Sequence, residues 1–394
     1  MRYKVFLSLH VFLIASVVFG CDVTKVKNSS SKSADSKTVT FNWDPLSLAQ
    51  IMQGTPILKK VSANATHVFF AFIITRLNGA PISGLIIKDQ QSNFEVRGFP
   101  DVTALSAFPY GAWLATKHDE KNPVAPRLIT QISNNGTRYS EHFLSSSKVM
   151  KLIPLQEGLL SLFYDGVNTP KLFKGDALAL DKNTINWDKP SSFDLTANEM
   201  GDAALDMIIV DELKPDDLVA VSGGGLYQGN LSDMKWRHRW VSESYSNVEI
   251  FPGAPNSMAY FRGRLVVGSF THPLSSKKSK GLVLCDLSKT NQKNPCEAPS
   301  SAHPLAQAKN FEIRKMLEMK DHLYMATSTG LLRFDGESLH HFTRSNPKAD
   351  LKDTSTKKYR AEGALPSDEI DDIAVQDHAL WIITPAGAVR FFVD

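Results

Sequence analysis

Three segments of this sequence follow one pattern: a leucine, three apolar residues, a serine or threonine, two further residues, a glycine and a second apolar run. They are Leu218 to Tyr227, Leu323 to Leu332 and Leu380 to Val389. An apolar run of this length without polar alternation, turned back on itself at a permissive glycine, reads as a β-hairpin buried on both faces. Such a hairpin needs neighbours on each side.

Looser copies supply them. Leu265 to Ser269 leads through a basic turn to Gly281 to Leu284, Ala112 to Thr116 matches the start of the third copy, and Leu160 to Tyr164 and Val68 to Phe72 complete the set. The starting positions 68, 112, 160, 218, 265, 323 and 380 are 44 to 58 residues apart, close to the repeat length of propeller blades. Apolar strands precede the later hairpins (Met258 to Phe261, Ile313 to Met319, Ile370 to Val375), and more polar ones follow some of them (Met234 to Trp240, Ser338 to Thr343). The expected fold is therefore all-β, a seven-bladed β-propeller over residues 38–394. The last blade is written with only three strands, and Thr38 to Trp43 reads as an outer strand with no blade of its own. This N-terminal strand is expected to complete the last blade and close the ring, removing the open seam of an unclosed array. A chain near 370 residues fits one such domain, because each blade adds its own small core.

The first twenty residues read as an export signal: Arg2 and Lys4, an apolar run from Val5 to Phe19 interrupted by His10, then Gly20 before Cys21. The run falls short of the roughly twenty apolar residues that span a bilayer. Val18-Phe19-Gly20-Cys21 resembles the bacterial lipobox, with Phe19 where that motif has a small residue. The resemblance implies cleavage before Cys21 and lipidation of its thiol, a palmitate-type anchor. An ordinary secreted protein is the alternative. Residues 22–37 are nearly all polar and read as a flexible tether. Asp22 resembles the inner-membrane retention signal of enteric-type bacteria. The expected location is thus the periplasmic side of the bacterial envelope, on the inner membrane.

Loss of Arg2 and Lys4 with the signal lowers the formal net charge from +3 to +1, which gives no reason to expect a nucleic-acid partner. With Cys21 taken by lipid, Cys285 and Cys296 remain in a compartment that permits disulfides, and they are expected to pair; two separate buried thiols are the alternative.

Leu365-Pro366-Ser367-Asp368-Glu369-Ile370, followed by Leu380 to Phe391, resembles the propeller repeat of bacterial two-component sensors: a Leu-Pro turn, an inner strand, Leu-Trp-Ile-Gly-Thr, a glycine turn and Arg-Phe. Ile383 stands where that repeat has glycine. The resemblance covers about the last eighty residues and implies the fold. A sensor of that type continues into a transmembrane helix and a kinase, so signalling here is expected to need a partner. In plan the chain also resembles the propeller lipoprotein of the outer-membrane barrel assembly machinery, without that group's repeated Asp and Trp pattern.

No motif points to catalysis. Asp368, Glu369, Asp371 and Asp372 lack the spacing of a calcium loop and read as solvated charge, as do Asp211, Glu212, Asp216 and Asp217. His340 and His341 point to opposite faces of a strand, which suits surface and packing roles better than one metal. Gly223-Gly224-Gly225 is a hairpin turn. Lys277, Lys278 and Lys280 form a solvated turn or a contact for anionic polymer, and Trp236 and Trp240 pack between blades or mark a contact face. The expectation is a monomeric, non-catalytic propeller without cofactor or metal that binds a protein, peptide or glycan. The alternatives are a hydrolase or lyase at the channel mouth, betrayed by carboxylates converging from several blades, and an accessory sensor subunit.

Overall fold

The computed structural model describes residues 56–74, 82–91, 94–99, 101–117, 127–135, 138–144, 148–155, 158–164, 170–174, 191–192, 204–214, 217–222, 225–231, 235–241, 254–270, 281–288, 295–344 and 365–392. Among them the strands form seven antiparallel sheets, each running outward in chain order. The first sheet is β1 (Ile57–Ala63), β2 (His67–Ile74), β3 (Ile82–Asp89) and β4 (Phe94–Gly98). The second is β5 (Val102–Phe108), β6 (Gly111–Lys117), β7 (Arg127–Ser133) and β8 (Arg138–Leu144), and the third β9 (Lys148–Leu155), β10 (Gly158–Tyr164), β11 (Pro170–Lys174) and β12 (Ser191–Ser192). The fourth is β13 (Ala204–Ile209), β14 (Leu218–Ser222), β15 (Gly225–Asn230) and β16 (Lys235–Val241). The fifth is β17 (Ala254–Phe261), β18 (Arg264–Phe270), β19 (Gly281–Cys285) and β20 (Cys296–Glu297). The sixth is β21 (Ile313–Met319), β22 (His322–Thr327), β23 (Gly330–Phe334) and β24 (Leu339–Phe342). The last, β25 (Asp372–Gln376), β26 (Ala379–Thr384) and β27 (Gly387–Phe392), has three strands among the described residues.

Every starting position read from the repeat falls in the second strand of a sheet. These strands are apolar throughout because the core lies between sheets. Leu323, Met325 and Leu332 face Ala259, Phe261 and Val266 of the fifth sheet. Tyr324, Ala326 and Leu331 face Ile373, Leu380 and Ile382 of the last. Side chains alternate along a strand, so a sheet covered on both sides must be apolar at every position.

The serine or threonine of the repeat has a local cause. Thr327 Oγ1 donates to the Gly330 carbonyl at 2.7 Å and accepts from Thr329 N–H at 3.1 Å. Thr384 does the same with Gly387 at 3.0 Å and Ala386 at 3.2 Å. The hydroxyl closes the turn, and the glycine after it adopts φ of +136° at Gly330 and +137° at Gly387, where other residues are strained. At Gly330 a Cβ would also lie 2.4 Å from the Phe342 carbonyl oxygen.

The first strand of each sheet touches that of the next, from β1 through β5, β9, β13, β17 and β21 to β25, and β25 touches β1. First and last sheets share a core in which Phe70 meets Trp381 edge-on, ring centroids 5.4 Å apart. Trp381 also has the Lys88 ammonium 5.5 Å from its centroid and the Arg390 guanidinium at 5.4 Å. Burial first, then Arg390, lowers the pKa of Lys88 to about 8, although Asp89 opposes the shift. In the fifth sheet Cys285 and Cys296 face each other across β19 and β20 and form a buried disulfide. Thr38 to Trp43 lies outside the described residues.

Trp381 is fully buried at the contact of the first and last sheets. Trp381→Ala is expected to lower unfolding stability by about 3 to 5 kcal/mol, read as a reduced urea midpoint at unchanged slope.

Candidate functional site

The first strand of a sheet is an edge, which leaves alternate amides without ladder partners. In six sheets this strand also carries a one-residue register shift at a matching point, after Leu58, Val102, Val149, Ala204, Pro255 and Ile313. In the last sheet Asp371 N–H donates to the Ile383 carbonyl, opposite which Asp372 also pairs, giving the same two residues against one. The residue that follows the shift is Lys60, Ala104, Lys151, Asp206, Ser257, Lys315 or Asp372.

Side chains at this position satisfy the edge amides of the next sheet. Asp206 Oδ2 accepts from Met258 N–H at 2.7 Å, Ser257 Oγ from Met316 N–H at 2.7 Å, and Asp372 Oδ2 from Val61 N–H at 2.9 Å. Their other oxygens take cations from the preceding sheet: Lys151 pairs with Asp206, and Lys315 Nζ lies 2.6 Å from Asp372 Oδ1. Ser62 Oγ accepts from Ala107 N–H at 2.8 Å between the first two sheets.

Asp372 is thus 4% exposed, which corrects the reading of its cluster as solvated charge. Its neighbours are committed too. Arg314 binds Asp371 at 2.9 Å and Glu369 at 2.7 Å, and Asp368 accepts from Arg344 N–H. Burial raises the pKa of Asp371 against the pull of Arg314, with Glu369 adding to the rise. Asp217 is also buried and accepts from Leu231 N–H at 3.1 Å, whereas Asp211 and Glu212 are exposed as expected; Asp216 lies outside the described residues. The carboxylates that converge from several sheets at this end of the first strands therefore hold sheets together.

The other end is built differently. β13, β17 and β21 run side by side under a cavity of about 310 Å³. It is lined by Ile208, Met258, Met316, Leu317, Tyr260, Glu212 and Glu318, of which Ile208, Met258, Met316 and Leu317 also pack into the cores between sheets. Burial raises the pKa of the Tyr260 phenol, helped by Glu212 and then Asp286. Burial likewise raises the pKa of Glu318, followed by Asp321 and Glu212, with Arg262 opposing. Glu212 acts on both groups. Two-residue turns fix this end: Arg262 and Gly263 (φ +49° and +78°) after β17, Lys320 and Asp321 (+50° and +58°) after β21.

No local sequence signal marks this groove, since its residues come from three sheets and Glu212 reads as solvated charge beside Asp211. His340 is buried, its Nε2 3.6 Å from Asp335 Oδ2, and His341 Nε2 bonds the Thr329 carbonyl at 2.8 Å, so the pair packs as expected. Cys21, Gly223, Gly224 and the lysines at 277, 278 and 280 lie outside the described residues, as do the side chains of Trp236 and Trp240 on β16. Among the described residues no group of His, Cys, Asp or Glu is placed to hold a metal, and no helix is long and apolar enough to cross a membrane.

Two outcomes are expected. Asp372→Ala orphans a buried amide and costs about 2 to 3 kcal/mol, and Lys315→Met leaves the buried Asp372 carboxylate without its cation and costs about 3 kcal/mol; chemical denaturation measures both. The Tyr260 phenol, isolated by difference absorbance against Tyr260→Phe, is expected to ionise above the ordinary tyrosine value, and Glu212→Gln to lower its midpoint.

No protein-family model matches the chain, and no curated protein matches it in sequence. Solved structures do. An extracellular domain assigned to a hybrid two component system of B. thetaiotaomicron is 14% identical at a TM-score of 0.51, covering 86% of this chain and 38% of its own. This chain therefore spans well under half of that one. The β-propeller domain of the Trilobed protease from Pyrococcus furiosus is 10% identical at 0.48, covering 86% and 95%. Saccharomyces cerevisiae Sqt1 is 9% identical at 0.46, covering 84% and 80%. At 14% identity the first likeness shows a shared fold alone, and four-stranded meanders contacting in cyclic order make that fold a β-propeller.

Proposed function

We propose that this protein is a lipid-anchored propeller of the bacterial envelope that binds a protein, peptide or glycan partner in the periplasm without transforming it. The observation that carries the binding reading is the groove over β13, β17 and β21, a concavity of about 310 Å³ lined from three neighbouring sheets, with Tyr260, Glu212 and Glu318 among its residues. Ligand sites are concave and carry a small number of placed polar groups. The charged residues at the opposite end are spent on sheet-to-sheet bonds.

The propeller has seven blades in this reading, supported by seven sheets whose first strands touch in a cycle. Thr38 to Trp43 adds beside β27 as the fourth strand of the last blade. Lipid on Cys21 holds the domain through the tether at residues 22–37, with Asp22 keeping it on the inner membrane. Repeat resemblance around residues 365–391 supports a second reading, an accessory sensing subunit that acts through a membrane kinase.

One experiment tests anchor and groove together. Cells expressing the full chain are fed an alkyne fatty acid, crosslinked and subjected to affinity capture, alongside Cys21→Ala and Leu317→Arg. Wild type is expected to carry the label and retain a specific partner, Cys21→Ala to lose the label, and Leu317→Arg to keep the label and lose the partner. Label on Cys21→Ala refutes the anchor. A partner retained equally by Leu317→Arg refutes the groove as its site. A membrane histidine kinase as the captured partner selects the second reading.

A further inference from the structure

We infer that β4 is a self-recognition edge, across which two copies of this protein pair antiparallel about a two-fold axis at Val96. β4 is the outermost strand of the first sheet, and among the described residues no strand pairs with its far side. Its register with β3 sets which backbone groups face outward. Phe99 N–H donates to the Ser83 carbonyl at 3.2 Å, and Gly98, Arg97, Val96, Glu95 and Phe94 follow opposite residues 84 to 88 without a shift. Hydrogen-bonded pairs alternate along an antiparallel ladder, so Arg97 and Glu95 bond to β3 while Val96 turns its N–H and carbonyl away from it. Outward groups of this kind are what an added strand uses. The exposed side chains mark the same edge. Phe94 and Val96 are 41% and 40% exposed, and among the described residues only Tyr110 joins them as an exposed large apolar side chain. Both lie on one face of β4; Glu95 and Arg97 share the other, where they form an ion pair and Arg97 also reaches the Asn135 carbonyl at 3.5 Å.

Charge complementarity makes a second copy the occupant. Phe94-Glu95-Val96-Arg97-Gly98 complements itself when reversed. With Val96 opposite Val96 of the second copy, each Glu95 stands opposite an Arg97 in the close, non-hydrogen-bonded positions, and each Phe94 lies opposite a Gly98. The four charges then alternate, each beside one opposite charge on its own strand and facing another across the axis. A side chain at Gly98 would meet nothing within 4 Å of its Cβ, which leaves room for the Phe94 ring to cover it. A shift of register by one step either way centres the axis on Glu95 or Arg97 and sets like charges face to face. Other outer strands lack this property: β16 carries Lys235, Arg237 and Arg239 with no acid and would repel its own copy. Because the axis is two-fold, one partner uses up the edge and the assembly closes at a dimer, in place of the monomer expected from sequence. Five residues from each copy make a small interface, so the pairing is weak in free solution and calls for a readout that traps it.

The test is disulfide trapping. Full-length protein carrying Cys21→Ala has no free thiol, because Cys285 and Cys296 are joined. Single cysteines added on β4 then report the register under mild oxidation, read on non-reducing gels. In the paired register the two Val96 Cα atoms are about 5.5 Å apart, inside disulfide range, whereas Phe94 lies more than about 13 Å from its own counterpart. Val96→Cys is expected to give a linked dimer and Phe94→Cys alone none, while a mixture of Phe94→Cys and Gly98→Cys proteins links. Glu95→Arg added to Val96→Cys sets arginines face to face and is expected to cut the linked fraction about tenfold. Adding Arg97→Glu as well restores it, because the exchanged charges complement each other again. All these positions are exposed or half-buried, so the variants keep their fold, checked by their thermal transitions. No link at Val96→Cys in folded protein, an equal yield at Phe94→Cys, or a yield indifferent to Glu95→Arg overturns the dimer. So does a yield lost with Glu95→Arg that the charge exchange fails to restore. The groove takes no part in these readouts, and the capture with Leu317→Arg decides that reading separately.

Discussion

An edge strand presents amides with no ladder partner, and each sheet of this protein places such a strand against its neighbours. A buried amide left unsatisfied costs about 1 to 3 kcal/mol. The protein meets this demand with side chains from the adjacent sheet: Asp206 on Met258, Ser257 on Met316, Asp372 on Val61 and Ser62 on Ala107. Lys151 and Lys315 then neutralise the buried carboxylates. Matching register shifts place Asp206, Ser257 and Asp372 at corresponding heights. Residue type at this position follows from the neighbouring backbone, which is why carboxylates gathered from distant parts of the sequence look like a catalytic cluster and serve as braces.

The two ends of the first strands therefore differ in kind. At one end charges are consumed in bonds between sheets. At the other, Glu212 and Glu318 are exposed and line one groove with Tyr260.

Much of the fold was legible along the chain because burial on both faces prints itself as an unbroken apolar run, and because one hydroxyl and one glycine mark each tight turn, as at Thr327 with Gly330 and Thr384 with Gly387. The disulfide was legible because only two thiols remained once Cys21 was set aside. The site was not. Asp372 serves an amide 311 positions away, and nothing local distinguishes it from the half-buried Asp371 beside it. Glu212, Tyr260 and Glu318 stand on or beside three different strands, and only the packing of those strands brings their charges within reach of one another.

The meeting of the first and last sheets sets an order of events during synthesis. Phe70 and Val61 are made early, while Trp381 and Asp372, which cover them, emerge from the ribosome only after the intervening sheets. Until then the earliest sheet carries an uncovered apolar flank. Contacts this distant in sequence also form late, since a long loop must close first. A nascent chain of this design therefore depends on whatever shields that flank until β26 and β27 arrive.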